Sequence, residues 1–97
     1  MSDFSLQRRF RAADSAIFRE LDGEAIVLHL DTGIYFGLDP VGTLIWRSLA
    51  RRESVGHIVG SVVGDYDVDE AQARIDVELL IDQLVAKGLV VADDDER

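Results

Sequence analysis

The residues best suited to acid–base or metal chemistry near neutral pH are two histidines, His29 and His57. They lie far apart in the chain, in neither an HxxxH nor an HExxH spacing, so each is expected to be structural or merely exposed. Cysteine is absent, which removes disulfide frameworks, thiolate metal sites and cysteine nucleophiles together. The acidic run Asp65-Tyr66-Asp67-Val68-Asp69-Glu70 alternates carboxylates as a calcium loop does. It lacks that loop's central glycine and distant bidentate Glu, so a turn rich in helix-capping groups is the better reading. Gly33, Gly37, Gly42, Gly56, Gly60 and Gly64 are scattered, without GxGxxG or GxxxxGK[ST], and no phosphate cradle is visible. The inventory predicts no catalysis, no metal and no cofactor.

Elements that could present a binding surface are easier to find. With 97 residues the chain has room for one hydrophobic core, and 47% apolar residues make burial sufficient to order it. Residues 1–12 show no clear period and suggest a loosely held arm or an entry segment to the first strand; residues 1–14 are assigned as a flexible arm. Ser15 to Leu21, Glu24 to Leu30 and Ile34 to Leu38 then read as three strands, separated by Asp22-Gly23 and Asp31-Thr32-Gly33. In the middle strand Ile26, Leu28 and Leu30 share one face, and Val27 and His29 the other.

The period changes at Asp39-Pro40, an N-cap followed by a residue with no amide hydrogen to leave unpaired. Val41, Leu44, Ile45 and Leu49 give the first helix its buried stripe, with Trp46 beside it and Arg47, Arg51 and Arg52 outward. Ser54 caps a second helix through Val55, Ile58, Val59, Val62 and Val63, which Gly64 is expected to end in the left-handed conformation. Asp69 caps a third, whose main stripe is Ala73, Val77, Leu80, Ile81 and Leu84 and which Gly88 ends after Lys87. Leu89-Val90-Val91 can return as a short strand, and residues 92–97 form an acidic tail. The order predicts an α+β, winged-helix-like domain over residues 15–91, a three-stranded antiparallel sheet followed by three helices.

Charge narrows the partners. The formal net charge is −9, and between Asp65 and Asp82 only Arg74 opposes the acids, which disfavours nucleic acid and anionic membrane as ligands. No apolar run approaches the length of a bilayer span, and a cysteine-free chain without a signal segment reads as cytoplasmic. Charge repulsion between copies predicts a monomer when free.

Two features remain unexplained by a single core. Ile75, Leu79 and Ala86 fall roughly opposite the main stripe of the third helix, either as ordinary exposed apolar residues or as part of a partner surface. The strand Ile34 to Leu38 carries no Lys, Arg, Glu or internal Pro, so if it lies at an edge of the sheet that edge is open to strand addition.

Leu28-His29-Leu30-Asp31-Thr32-Gly33-Ile34-Tyr35-Phe36-Gly37-Leu38-Asp39, then Gly42 with Ile45-Trp46, then Asp76-Val77 with Leu80, Leu84 and Lys87-Gly88-Leu89-Val90, together resemble the PqqD-like family of precursor recognition elements. The likeness is greatest to the stand-alone leader-binding proteins of lasso peptide pathways. The resemblance implies a non-catalytic module that binds the leader segment of a ribosomally made precursor and presents it to modifying enzymes such as a leader peptidase or cyclase. It further implies that the leader adds as a strand along Ile34, Tyr35, Phe36, Gly37 and Leu38 and rests on the third helix at Ile75, Asp76, Leu79, Leu80 and Gln83. Which flank of that helix faces the strand stays open, and Phe36 and Leu38 can be core instead. The alternative of another class is a winged-helix DNA-binding regulator. Against it, a recognition helix bearing Asp69, Glu70, Asp76, Glu78 and Asp82 repels phosphates.

Overall fold

The computed structural model describes residues 6–22 and 24–93. Three strands, β2 (Ala16–Leu21), β3 (Glu24–His29) and β4 (Tyr35–Leu38), form an antiparallel meander in the order β2-β3-β4. The pairing aligns Phe18 with Val27 and Phe36, and Ala25 with Leu38, so these side chains share the inner face. In the middle strand it is therefore the Val27 face that is buried, while Ile26 is exposed on the outer face and Leu30 is exposed beyond the strand's end. Asp22 takes a left-handed φ of 52° in the first turn; Gly23, also assigned to that turn, lies outside the described residues.

Helices α1 (Pro40–Ala50), α2 (Val55–Asp65) and α3 (Glu70–Ala86) cover the inner face. Each starts at the cap its sequence offers: Asp39 accepts from the Gly42 amide at 2.7 Å, Ser54 from His57 at 3.2 Å and Asp69 from Gln72 at 2.8 Å. Ile45 and Leu49 of α1, Ile58 and Val62 of α2, and Ala73, Val77, Ile81 and Leu84 of α3 meet Val27 in one core. Trp46 stacks on Phe18 at 6.4 Å between ring centroids and ties α1 to the sheet. The fold is thus α+β, with a three-stranded antiparallel meander followed by three helices.

Three expectations need correction. Gly64 does not take a left-handed conformation; α2 runs on to Asp65 and ends in extended backbone at Tyr66. At the end of α3, by contrast, Gly88 has φ 74°, and the bonds Leu89 N–H to Leu84 C=O and Gly88 N–H to Val85 C=O close a Schellman motif.

The other two corrections concern the chain ends, because Phe10 to Ala12, assigned to a loose arm, form β1 (Phe10–Ala12) and pair antiparallel with β5 (Val90–Ala92). Phe10 is buried, and the segment before it is tied to α2 by Val55 N–H to Arg8 C=O and Gly56 N–H to Leu6 C=O, both 2.8 Å. Glycine suits position 56, since a Cβ there would sit 3.1 Å from the Leu6 carbonyl oxygen. At the other end Ala92 belongs to β5, and Asp93 is held by its amide on Arg9 C=O and by an ion pair with Arg52, so the tail begins later than residue 92. Residues 1–5 and 94–97, the rest of the arm and tail, lie outside the described residues.

Candidate functional site: an open strand edge beside α3

Among the described residues β4 pairs only with β3, and its other edge carries no strand. His29 N–H donates to Ile34 C=O at 2.8 Å, which fixes the alternation of the ladder. Phe36 and Leu38 turn their amides and carbonyls toward β3, and Tyr35 and Gly37 turn theirs to the free edge. Two donors and two acceptors in extended geometry are thus unpaired by the sheet and available to another strand.

That edge opens on a cleft of about 450 Å³ between β4, the start of α1 and one flank of α3. Phe36, Gly37 and Leu38 line the strand side, and Asp76, Leu79, Leu80 and Gln83 line the helix side. The floor comes from Asp39, Val41, Gly42 and Ile45. Those four were not singled out from sequence as site residues. The available signal was the short link from β4 to the Asp39-Pro40 cap, which sets the first turn of α1 beside the end of the strand.

The question of which flank of α3 faces β4 is resolved at the level of geometry. Asp76, Leu79, Leu80 and Gln83 turn to the cleft, while Ile75, 56% exposed, lies outside its lining. Leu80 belongs to the cleft wall and is only half-buried, whereas Leu79 is 56% exposed and free to be covered. Ile34 and Tyr35 also stay outside the lining, with the Tyr35 ring exposed on the outer face. Phe36 is half-buried and Leu38 is buried, so both serve the core as well as the cleft.

Both histidines, which lie outside the cleft, are occupied in structural contacts. His29 Nδ1 accepts from the Asp31 and Thr32 amides at 3.2 and 3.4 Å and braces the β3–β4 turn. His57 pairs with Glu53 at 3.4 Å. The Arg51 guanidinium, bonded to Glu53 at 2.9 Å, holds that carboxyl below the usual carboxylate range against its partial burial, and His57 adds to the effect. Asp69 is a helix cap, and among the described residues no three His, Asp or Glu side chains converge as metal ligands. No helix among the described residues is long and apolar enough to cross a membrane. Unpaired main-chain groups beside a largely apolar lining are the geometry that suits an extended peptide.

Comparison with known proteins gives the family and the fold. Residues 24–90 match the family model described as coenzyme PQQ synthesis protein D (PqqD). Among solved structures the chain is similar to TbiB1 in complex with the TbiA(beta) leader peptide, at 31% identity and a TM-score of 0.77, over 90% of this chain and 99% of that one. It is also similar to a lasso peptide synthetase B1 complexed with the leader peptide, over 84% of this chain and 96% of that one, with a TM-score of 0.78. Identity there is 22%, so this second likeness speaks for the fold alone. No curated protein matches the chain.

Proposed function

Since the chain belongs to the PqqD family, we propose that it binds the leader segment of a ribosomally synthesised precursor peptide and presents it to modifying enzymes, those of lasso peptide biosynthesis above all. The observation that carries this reading is the free edge of β4 opening on an apolar cleft walled by α3. The leader adds as a strand whose main chain bonds Tyr35 and Gly37, and alternate side chains of the leader enter the cleft. Phe36, Leu38, Leu79 and Leu80 supply its apolar walls, Gln83 and Asp76 its polar contacts. Ile34, Tyr35 and Ile75 contribute backbone or rim rather than floor.

The role is recognition and not catalysis. The chain supplies affinity and orientation, and a separate leader peptidase or cyclase supplies the chemistry. The free protein is a monomer in the cytoplasm, kept apart from its copies by its net charge. A DNA-binding role is not favoured, because α3 carries Glu70, Asp76, Glu78 and Asp82 against Arg74 alone.

The test is calorimetric titration with the TbiA(beta) leader and with the leader segments of short precursors encoded beside the gene. One-site binding that Leu79→Glu abolishes, with an unchanged melting temperature, is the expected result. Binding that Leu79→Glu leaves intact would place the peptide elsewhere.

A further inference from the structure

The cleft has a charge axis. Asp76, Leu80, Gln83 and Lys87 follow one another at three- and four-residue steps and so lie along one side of α3 and its cap. Asp76 is half-buried in the cleft wall, where its hydrogen bond comes from the neutral Gln72 side chain at 2.9 Å. Among the described residues no cation pairs with it. About three helical turns away, roughly 16 Å along the axis, Lys87 places its Nζ 5.9 Å from the centroid of the Phe36 ring and, among the described residues, has no carboxylate partner. The other cleft carboxylate, Asp39, faces the Gly42 amide and is spent on the N-terminal dipole of α1. What remains is one uncompensated negative charge in the cleft wall and one positive charge just outside the lining, against Phe36 at the other end.

β4 fixes the sense of that axis for an incoming strand. Phe36 stands beside Lys87, and the strand runs on from there through Leu38 into α1, away from Lys87. A segment pairing antiparallel, as β3 does on the other side, begins near Asp76 and ends near Lys87. At about 3.3 Å per residue the separation corresponds to roughly five residues, and side chains on one face of a strand differ by an even number.

Resting on the leader-binding reading above, we propose that the cleft selects leaders in which a Lys or Arg precedes an Asp or Glu by about four or six residues, the cation meeting Asp76 and the acid meeting Lys87. This order reads the direction of the peptide as well as its sequence, because a reversed strand would set like charges together at both ends. Each contact is solvent-accessible, so each changes affinity only about two- to fivefold, and salt weakens both.

The experiment is selection of random peptides of about twelve residues, long enough to span the cleft when extended, against the full chain. Binders retained by Leu79→Glu are discarded. In parallel the same library is selected on the charge-exchanged variant Asp76→Lys with Lys87→Glu, whose melting curve checks its fold. The wild-type chain is expected to enrich cation-before-acid peptides, and the exchanged chain acid-before-cation peptides. Cleft-dependent peptides with no charge order, or with the same order on both proteins, would overturn this inference and leave cleft binding standing. Recovery of no cleft-dependent peptide would overturn both.

Discussion

On one side of α3, Ala73, Val77, Ile81 and Leu84 are fully enclosed; on another, Leu79 is 56% exposed above a cleft and Leu80 is half-buried in its wall. The enclosed side has no contact left to gain, so its apolar surface contributes stability alone. The cleft side retains apolar surface in water, and covering it releases free energy only when a ligand arrives. On the proposed reading, a helix with apolar residues on two sides divides its surface between holding the fold and recognising a partner.

The largest effect should come from breaking the enclosed side. Leu84→Ala removes a fully buried side chain and is expected to cost about 2–5 kcal/mol of stability in denaturant melts, while the remaining folded molecules bind the leader normally. The cleft side should answer in the opposite way. Leu79→Ala is expected to leave the melt within about 0.5 kcal/mol of wild type and to weaken leader binding by up to about 2 kcal/mol, some thirtyfold by calorimetry.

A smaller effect probes the strand edge. Gly37→Pro removes an amide directed away from β3, so the ladder survives and leader affinity falls by the roughly 0.5–1.5 kcal/mol of one main-chain hydrogen bond. Wild-type affinity in a folded Gly37→Pro variant would show that the Gly37 amide makes no bond to the leader. Ile75→Ala sharpens the boundary of the cleft: affinity and stability should both move by less than about 0.5 kcal/mol, and a loss matching that of Leu79→Ala would extend the floor beyond it.

A change in stability alone belongs to neither side of α3. Glu53 titrates lower in the folded chain than when unfolded, so its stabilisation is present above the ordinary carboxylate pKa and is lost as pH falls through the folded value. Glu53→Gln should therefore lower stability by under about 1 kcal/mol at neutral pH, by nothing in strong acid, and leave leader affinity unchanged.

Much of this arrangement is legible in local sequence because it rests on local rules. Asp39-Pro40, Ser54 and Asp69 announce the helix starts, and Lys87-Gly88 announces the end of α3. The return strand at Leu89-Val90-Val91 is legible, but β1 and its pairing with β5 are not, since a three-residue strand has no period and the pairing joins opposite ends of the chain. Nor does alternation reveal that Val27 and not Ile26 faces the core, because both faces of β3 are apolar. The same ambiguity hides which flank of α3 meets β4: Ile75 and Leu79 look alike in sequence, and only the docking of the helix separates them. The part of α1 in the cleft escapes for a different reason, as Val41 and Ile45 read equally well as core.

Amide hydrogen exchange of the free and leader-saturated protein, followed residue by residue by NMR, tests strand addition most directly. The amides of Tyr35 and Gly37, which the sheet leaves unpaired, should exchange fast in the free protein and become protected with the leader bound, while Phe36, already bonded to β3, changes little. Saturating leader with no change in protection at Tyr35 and Gly37 would mean that the peptide does not extend the sheet at β4.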